Sequence, residues 1–497
     1  MVVRRAITLA LIFFCLPLAY AQTENKTITV NLNAPVHPFP HFWEEMFGSG
    51  RAILSLRDSY RQDLRQVEQI TGFRYVRFHA ILDDEVGVYT EDASGKPIYN
   101  FSYVDQIYDG LLANGVKPFV EISFMPYQLA AAPTLQAFWY KPNVSPPKSW
   151  EKWDDLVSAF VSHLVSRYGS DEVASWYFEV WNEPNLDFWA GSPRQATYWE
   201  LYDHTARDVK KVNSRFRVGG PATAQAAWVG DFIRHCVENH VPFDFVSTHV
   251  YANDLAKDVF GTNENIPRDK MVCRAVSKDH DEIGHSAMPG TPLIWSEFNA
   301  SYKNEPDVTD TAYMGPWLAD TIRQCDGIVD MMSYWTFSDV FEEQGVVKTP
   351  FYGGFGLIAE RHIPKPSFNA FELLHRLGDQ RIQEDSDSAL LTRRNDGTYV
   401  LALWNYAAPG DAGHADSVSV HFTSGELQQA TIWRVDADHG DAEEAFEKMG
   451  APPYPTQEQL KELRAAGALS PAQTMDITND QLKIDIPAHG LVVAELK

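Results

Sequence analysis

The chain of 497 residues is poor in cysteine and lacks the short motifs that mark several common classes of enzyme. Its four cysteines, at positions 15, 236, 273 and 325, are too few for a disulfide framework, and the sequence alone predicts no bridge. Neither CxxC nor HExxH occurs, so we predict no metal and no cofactor. Without a GxSxG motif, an exported esterase with a serine nucleophile is not indicated.

Positively charged residues are also scarce. The chain has 42 Lys and Arg residues against 67 Asp and Glu residues, which gives a formal net charge of −25 at pH 7. A surface with this excess repels nucleic acids and acidic polymers, so we expect no nucleic-acid partner and favour a neutral substrate. With 44% hydrophobic residues the chain can bury a large core, and its length indicates one large domain with a smaller one.

Residues 1–21 have the pattern of a secretory signal peptide. Two arginines precede an apolar run that ends near Leu18, and residues 19–21 (AYA) resemble a cleavage site. The apolar run is short for a membrane span, which needs about 20 residues. We therefore expect export to the periplasm or the cell exterior, with no membrane attachment after cleavage.

Short β-type runs alternate with helical segments between about residues 40 and 370. Eight such units in a stretch of this length predict a (β/α)8 TIM barrel over residues 40–370. A doubly wound open sheet is the alternative, but the glycine-rich first turn that often marks it is absent. The eight runs are FWEEMFGSG (42–50), YVRFHA (75–80), KPFVEISFMP (117–126), YFEVWNEP (177–184), FRVGGPAT (216–223), FDFVSTHVY (243–251), PLIWSEFN (292–299) and IVDMMSYWTFSD (328–339).

Alternating strands dominate after the barrel and predict an antiparallel β-sandwich over residues 371–497. Asp396-Gly397 between two alternating runs is a strong hairpin signal. A helical insertion is expected near 455–467, where Thr456 and Gln459 form a capping box. Residues 22–39 contain one more alternating run, KTITVNL, which we expect to join the sandwich and make that domain discontinuous.

Two glutamates stand where runs of the predicted barrel end. FEVWNEP (178–184) brings Glu183 to the end of the fourth strand, and PLIWSEFN (292–299) brings Glu297 to the end of the seventh. In such barrels the carboxyl ends of the strands form the active site. Two carboxylates facing one cleft are the minimal apparatus for glycoside hydrolysis, provided that their surroundings hold their pKa values apart.

These motifs resemble glycoside hydrolase family 39 of clan GH-A, which contains β-xylosidases and α-L-iduronidases. The resemblance runs from about residue 30 to the C-terminus and is carried by YVRFHAILDD, KPFVEISFMP, FEVWNEPNLDFWAG, THVY, WSEFNASY, SYWTFSDVFEE and GGFGL. It implies a retaining double displacement with Glu183 as the general acid/base and Glu297 as the nucleophile.

Further side chains near the predicted mouth are candidates for binding the sugar. We expect Asn182 to hydrogen-bond the sugar 2-hydroxyl, and Trp335 to give its ring a flat apolar floor. Arg77, on the same face of the second strand as His79, could form an ion pair that keeps a neighbouring carboxylate charged or a buried structural salt bridge, and we favour the structural role. By resemblance to the family or by position, the remaining candidates are His79, His249, Tyr251, Glu342, Glu343, Trp139 and Phe188, the last two on the leaving-group side.

The residue two positions after the histidine of the sixth predicted strand limits the range of expected substrates. Iduronidase-like members of the family have a lysine two residues after the strand-six histidine, and this chain has Tyr251 there. We therefore expect an exo-acting β-xylosidase that releases xylose from xylo-oligosaccharides or other small neutral xylosides. An α-L-arabinosidase or α-L-iduronidase activity is the alternative, and a secreted carbohydrate-binding protein without turnover is a second, against which the presence of both glutamates argues.

Overall fold

Eight parallel strands form a closed barrel in the computed structural model, which describes residues 23–497. Each strand pairs with the next one in the chain, and the eighth pairs with the first. The predicted barrel is thus confirmed with every strand in its expected place, whereas the predicted signal peptide lies outside the described residues. The strands span Met46–Gly48, Tyr75–Phe78, Lys117–Ile122, Tyr177–Val180, Arg217–Thr223, Phe245–Tyr251, Leu293–Asn299 and Met331–Tyr334.

Helices surround the barrel and bury one face against it. In Trp150–Tyr168, buried Trp153, Leu156, Phe160 and Leu164 recur at helical spacing. Among the described residues, no helix combines the length and the apolarity that a bilayer crossing requires. The other helices of this part of the chain are Asp58–Thr71, Ser102–Leu112, Ser170–Val173, Arg194–Val212, Val229–Glu238, Ala256–Phe260, Arg268–Gly284, Pro306–Thr309, Met314–Cys325 and Pro366–Leu374, with 3-10 turns at Ala52–Leu56 and Ala224–Ala226.

The barrel interior is apolar at one end and polar in the next layer. Buried side chains near the starts of six strands pack together there: Met46, Tyr75, Phe119, Phe245, Ile294 and Met331. Because side chains on one face of a strand recur every two residues, the next inward positions follow directly. Those positions hold Arg77, Glu121, Ser247, Ser296 and Ser333. The apolar cluster therefore plugs the amino end and leaves a polar layer beneath the opposite mouth.

Two sheets form the second unit. A seven-stranded sheet contains Val36–Pro38, Gln380–Ile382, Ala389–Arg393, Tyr399–Trp404, Leu491–Leu496, Gln429–Val435 and Gln473–Asp476, in that spatial order. A three-stranded sheet contains Glu24–Val30, Asp416–Phe422 and Gln481–Ile486. Their facing side chains share one apolar core. The strand Glu24–Val30 pairs with Asp416–Phe422 in parallel, so both ends of the described chain build this unit.

Smaller elements complete the structure. Two short hairpins pair Tyr89–Glu91 with Pro97–Tyr99 and Ile358–Ala359 with Ile363–Pro364. Two helices, Glu443–Lys448 and Gln457–Ala466, interrupt the second unit. The second of them begins with a capping box, in which Thr456 and Gln459 each accept a hydrogen bond from the other's backbone N–H.

A disulfide that the sequence alone does not predict links two neighbouring barrel helices. Cys273 lies in Arg268–Gly284, Cys325 ends Met314–Cys325, and 52 positions separate them. Cys236 is a buried free thiol. The spacing of the cysteines gives no hint of this pairing, because only the barrel closure brings the two helices side by side.

Removing this bridge should lower the free energy of unfolding by about 2–4 kcal/mol, since the closed loop constrains the unfolded chain. We expect Cys273→Ala/Cys325→Ala to unfold at lower urea concentration than the wild type, and to be insensitive to added reductant. Cys236→Ala is the matched control, because it removes a buried thiol and keeps the bridge. If reductant left the wild-type midpoint unchanged, the bridge would contribute nothing to stability.

Candidate active site

Glu183 follows the fourth strand at a sharp turn of the backbone. Trp181 and Glu183 both have positive φ angles, of 73° and 42°, which non-glycine residues adopt rarely. The turn is held from both sides: the Glu183 N–H donates to the carbonyl of Ala222 at 2.7 Å, and the Trp181 indole donates to the carbonyl of Phe188 at 2.7 Å. Such unusual backbone persists only where its surroundings fix it, and it often accompanies functional sites.

Glu297 reaches the same mouth through a bulge in the seventh strand. Thr248 pairs with Trp295, but His249 pairs with Glu297, so Ser296 is an extra residue in the ladder. A bulge breaks the strict alternation of faces. Consecutive residues can therefore both point into the barrel, where Ser296 is buried in the polar layer and Glu297 lies above it.

The two glutamates approach each other closely in different surroundings. One carboxylate oxygen of each lies within 4.8 Å of the other. Glu297 accepts hydrogen bonds from Arg77 Nη1 at 2.6 Å and from the Tyr251 hydroxyl at 2.7 Å. Within residues 23–497, Glu183 has no such cationic donor, and its Oε1 lies 3.1 Å from His249 Nδ1.

Because their surroundings differ, the two glutamates favour different protonation states. Burial, and then the negative charge of Glu297, raise the pKa of Glu183 well above its ordinary value. Burial also lowers the pKa of His249 far below its ordinary value, so the ring facing Glu183 is neutral. Glu183 is therefore suited to hold a proton, while Glu297 sits among donors that fit a carboxylate.

Arg77 is the centre of the buried charge network, and its contacts include Glu297 as well as carboxylates within the strands. Its Nε lies 2.5 Å from Glu179, and its Nη2 lies 2.8 Å from Glu121 and 2.9 Å from Asn182 Oδ1. Because Nη1 also contacts Glu297, the guanidinium joins the two strand-end motifs directly. Arg77 is fully buried, so these bonds act in surroundings that screen charge poorly.

A pocket of about 340 Å³ opens above these groups. His79 lies in its wall, with Nδ1 2.7 Å from Glu121 and its ring 4.8 Å from the centre of the Trp335 ring. Of the predicted residues, the pocket is lined by His79, Asn182, Glu183, Phe188, Tyr251, Glu297, Trp335 and Glu343. His249 is buried directly beneath it, in contact with Glu183.

Besides His249, two predicted residues do not line this pocket. Trp139 is 53% exposed, and its neighbour Phe138 lies in the wall instead. Glu342 turns away and pairs with Arg57 at 2.5 Å and Arg51 at 3.4 Å. In the acidic dipeptide, only Glu343 faces the cavity, where burial raises its pKa well above the ordinary value.

Several residues of the pocket wall and of the polar layer beneath it escaped the sequence-based prediction. Glu121 and Glu179 carried a usable signal, because each is a charge inside an otherwise apolar strand. The others lie on loops whose paths the sequence does not specify: Phe138, Leu186, Ala224, Gln225, Asp254, Tyr302 and Phe355. Asp254 is notable because burial raises its pKa to about 6.

Outside the pocket, two groups of side chains have donor atoms close enough to share a cation. They are His41 with Glu44 and His375, and Glu24 with His414 and Asp416. Neither group contacts the pocket residues, and the prediction that no metal or cofactor takes part stays a prediction.

Comparison with known proteins gives consistent matches along the chain. The sequence profile of "Glycosyl hydrolases family 39" matches residues 26–477. The chain is 39% identical over 443 residues to a beta-xylosidase of Geobacillus stearothermophilus, covering 86% of each chain, and 35% identical over 489 residues to one of Caldicellulosiruptor saccharolyticus, covering 95% of this chain and 98% of the relative. It resembles the crystal structure of a monomeric beta-xylosidase from Caulobacter crescentus CB15, with a TM-score of 0.85 and 34% identity over 95% of this chain and 99% of that one.

Replacing the buried guanidinium of Arg77 should destabilise the folded protein. We expect Arg77→Met to lower the free energy of unfolding by about 3–5 kcal/mol at neutral pH, because it leaves buried carboxylates without their cation. Burial already raises the pKa of Glu179, and losing Arg77 raises it further. A carboxyl group whose pKa is higher in the folded state binds more protons there, so stability falls as pH rises. The destabilisation should therefore be smaller at pH 5 than at pH 7.5.

Urea unfolding of the wild type and variant at both pH values measures this difference. Arg74→Met is the matched control, because Arg74 lies just before the same strand but is 64% exposed in its pair with Glu45. An exposed ion pair of this kind contributes about 0–1 kcal/mol. Equal, pH-independent losses for the two variants would contradict the role given to Arg77.

Proposed function

Because the chain belongs to glycosyl hydrolases family 39 and is a glycoside hydrolase, we propose that it is a retaining, exo-acting β-xylosidase. Its substrates are xylo-oligosaccharides and small neutral xylosides. The observation that carries this proposal is the approach of the Glu183 and Glu297 carboxylate oxygens to within 4.8 Å, in unequal surroundings. Retaining glycosidases hold their carboxyl groups about 5–5.5 Å apart, and inverting enzymes hold them about 6.5–9.5 Å apart.

The reaction proceeds in two displacements. In the first, Glu297 attacks the anomeric carbon while Glu183 gives its proton to the departing glycosidic oxygen, which leaves as an alcohol. A covalent glycosyl-enzyme and an ionised Glu183 result. In the second, Glu183 takes a proton from water, the water oxygen bonds to the anomeric carbon, and Glu297 departs as a carboxylate. Two inversions restore the original anomeric configuration.

The pocket supports a neutral pyranose as the sugar bound beside the glutamates. Its volume of about 340 Å³ and its aromatic wall of Trp335, Phe138 and Phe355 suit one sugar ring at the end of a chain. Asn182, His79 and Glu343 are placed to bond hydroxyl groups. No lysine or arginine is among the described residues that line the pocket, and the uronate carboxylate of an iduronide would meet Glu343 and Asp254 instead.

Export remains part of the proposal. The N-terminal pattern of a signal peptide is one support, and the Cys273–Cys325 bridge is another, because disulfides persist mainly in oxidising compartments. We infer that the enzyme acts in the periplasm or outside the cell.

Substitution of the two glutamates should separate their roles. We expect Glu297→Gln to lose activity on every xyloside by about 10³-fold or more, because the nucleophile is gone. Glu183→Gln should lose about 10²–10⁴-fold on phenyl β-xyloside, whose leaving group needs a proton. It should retain formation of the glycosyl-enzyme from 2,4-dinitrophenyl β-xyloside, seen as a burst of dinitrophenol. Glu45→Gln is the control, because Glu45 is a partly buried glutamate just before the first strand and pairs with Arg74 outside the pocket.

A panel of aryl glycosides tests the sugar specificity. We expect the β-D-xyloside to have the highest kcat/KM, the α-L-arabinoside to follow within about 10–200-fold, since small differences in sugar shape are weakly discriminated, and the α-L-iduronide to be inactive. Proton NMR of the first product formed should show the β anomer of xylose. A preference for the iduronide, or initial release of the α anomer, would overturn the proposal.

A further inference from the structure

A chain of buried hydrogen bonds runs from Glu183 into the polar layer of the barrel. Glu183 Oε1 lies 3.1 Å from His249 Nδ1, and His249 Nε2 lies 3.1 Å from Ser296 Oγ. Ser296 Oγ in turn donates to Glu179 Oε1 at 2.7 Å. His249, Ser296 and Glu179 are fully buried, so water cannot replace these partners.

The direction of each hydrogen bond follows from the far end of the chain. Arg77 can only donate, and its Nε lies 2.5 Å from Glu179 Oε2. Its positive charge opposes the effect of burial on the pKa of Glu179, so we take Glu179 as the ionised acceptor at both oxygens. Ser296 has one proton and gives it to Glu179, which leaves its oxygen free only to accept from His249. The Nε2 atom of His249 must therefore carry the ring's proton.

This order of donors fixes what His249 presents to Glu183. A neutral imidazole has one N–H, so with the proton on Nε2 the Nδ1 atom is a bare lone pair. We propose that Ser296 and Glu179 lock His249 in the Nε2–H tautomer, so that the ring offers Glu183 an acceptor and never a donor. Ser296 and Glu179 are then positioning residues that act on Glu183 through His249, an inference that rests on the proposed role of Glu183 as the acid/base.

The fixed Nε2–H tautomer of His249 accounts for the difference in hydrogen bonding between Glu183 and Glu297. Glu297 receives hydrogens from Arg77 and Tyr251, whereas an ionised Glu183 would face the lone pair of Nδ1. Glu183 therefore stays protonated in the free enzyme. In the second displacement the same repulsion makes its carboxylate a stronger base towards water.

Other charges also act on these two groups, and the tautomer adds to their effect. His249 faces Glu297, whose Oε1 is 3.7 Å from Nδ1, and it is influenced by Arg77 and His79 from the second strand. Glu183 is influenced by Glu297, Asp254, Glu121 and Arg77. All of these charges remain when only the Ser296 hydroxyl is removed, so that change isolates the tautomer.

Ser296→Ala is the decisive variant. Without an acceptor at Nε2, the proton can move to Nδ1 and donate to the Glu183 carboxylate, which stabilises its ionised form. We expect the basic limb of the kcat/KM–pH profile on phenyl β-xyloside to move to lower pH by about one to two units. With 2,4-dinitrophenyl β-xyloside, whose leaving group needs no proton, burst rates should stay near those of the wild type. Ser296→Cys, with a weaker acceptor, should move the limb less.

The matched control is Ser333→Ala. Ser333 lies in the same polar layer and is fully buried, and its hydroxyl has no hydrogen-bond partner in the described part of the chain. The kcat/KM–pH profile of Ser333→Ala should therefore equal that of the wild type. General damage to the barrel would lower the rates on both substrates and leave the basic limb in place.

Two outcomes overturn the lock: an unmoved basic limb in Ser296→Ala, or a move to higher pH, which would mean that His249 normally carries its proton on Nδ1. Failure of the lock is distinguishable from failure of the proposed function. If Glu183→Gln still discriminates between the phenyl and dinitrophenyl substrates, the acid/base assignment stands without the lock. If it does not discriminate, the assignment itself is wrong.

Discussion

One buried guanidinium organises the site. Arg77 lies within hydrogen-bonding distance of Glu297, Glu179, Glu121 and Asn182, which come from three other strands of the barrel. A buried cation surrounded by carboxylates is retained only with good geometry, because each removed partner leaves an uncompensated charge. The spacing of the strands and the positions of the catalytic side chains are thereby tied to one set of bonds. Structural and catalytic roles cannot be separated at this residue.

Local departures from regular backbone place the catalytic carboxylates on that network. A regular strand would send Ser296 and Glu297 to opposite faces, and the bulge lets both face inward. At the fourth strand, the positive φ angles of Trp181 and Glu183 turn the chain as it leaves the barrel. The bonds from Glu183 to Ala222 and from Trp181 to Phe188 hold this turn before any substrate arrives. Such preorganisation spares the enzyme reorganisation during the reaction.

The sequence predicted the barrel well because its strands are mostly apolar runs that alternate with helical segments. The same logic found Glu183 and Glu297, and family resemblance added His79, Tyr251 and Glu343. It failed where contacts depend on loop paths: Trp139 was chosen when Phe138 lines the pocket, and Glu342 pairs with Arg57 instead of facing the sugar. The full set of partners of Arg77 was not predicted, for a different reason. Its partners lie 44 to 220 positions away, and only ring closure brings them together.

The acidity of the pocket bears on both specificity and rate. Glu183, Glu297, Glu343 and Asp254 all line it, while Arg77, which pairs with Glu297, lies beneath the floor. A neutral sugar gains little from this field in the ground state. As the glycosidic bond breaks, however, the ring acquires the positive charge of an oxocarbenium ion, and the Glu297 carboxylate then attracts it. Interactions that strengthen only in the transition state accelerate the reaction. The same carboxylate repels an anionic sugar at every stage. Discrimination against anionic sugars and faster cleavage of neutral glycosides therefore have one electrostatic origin.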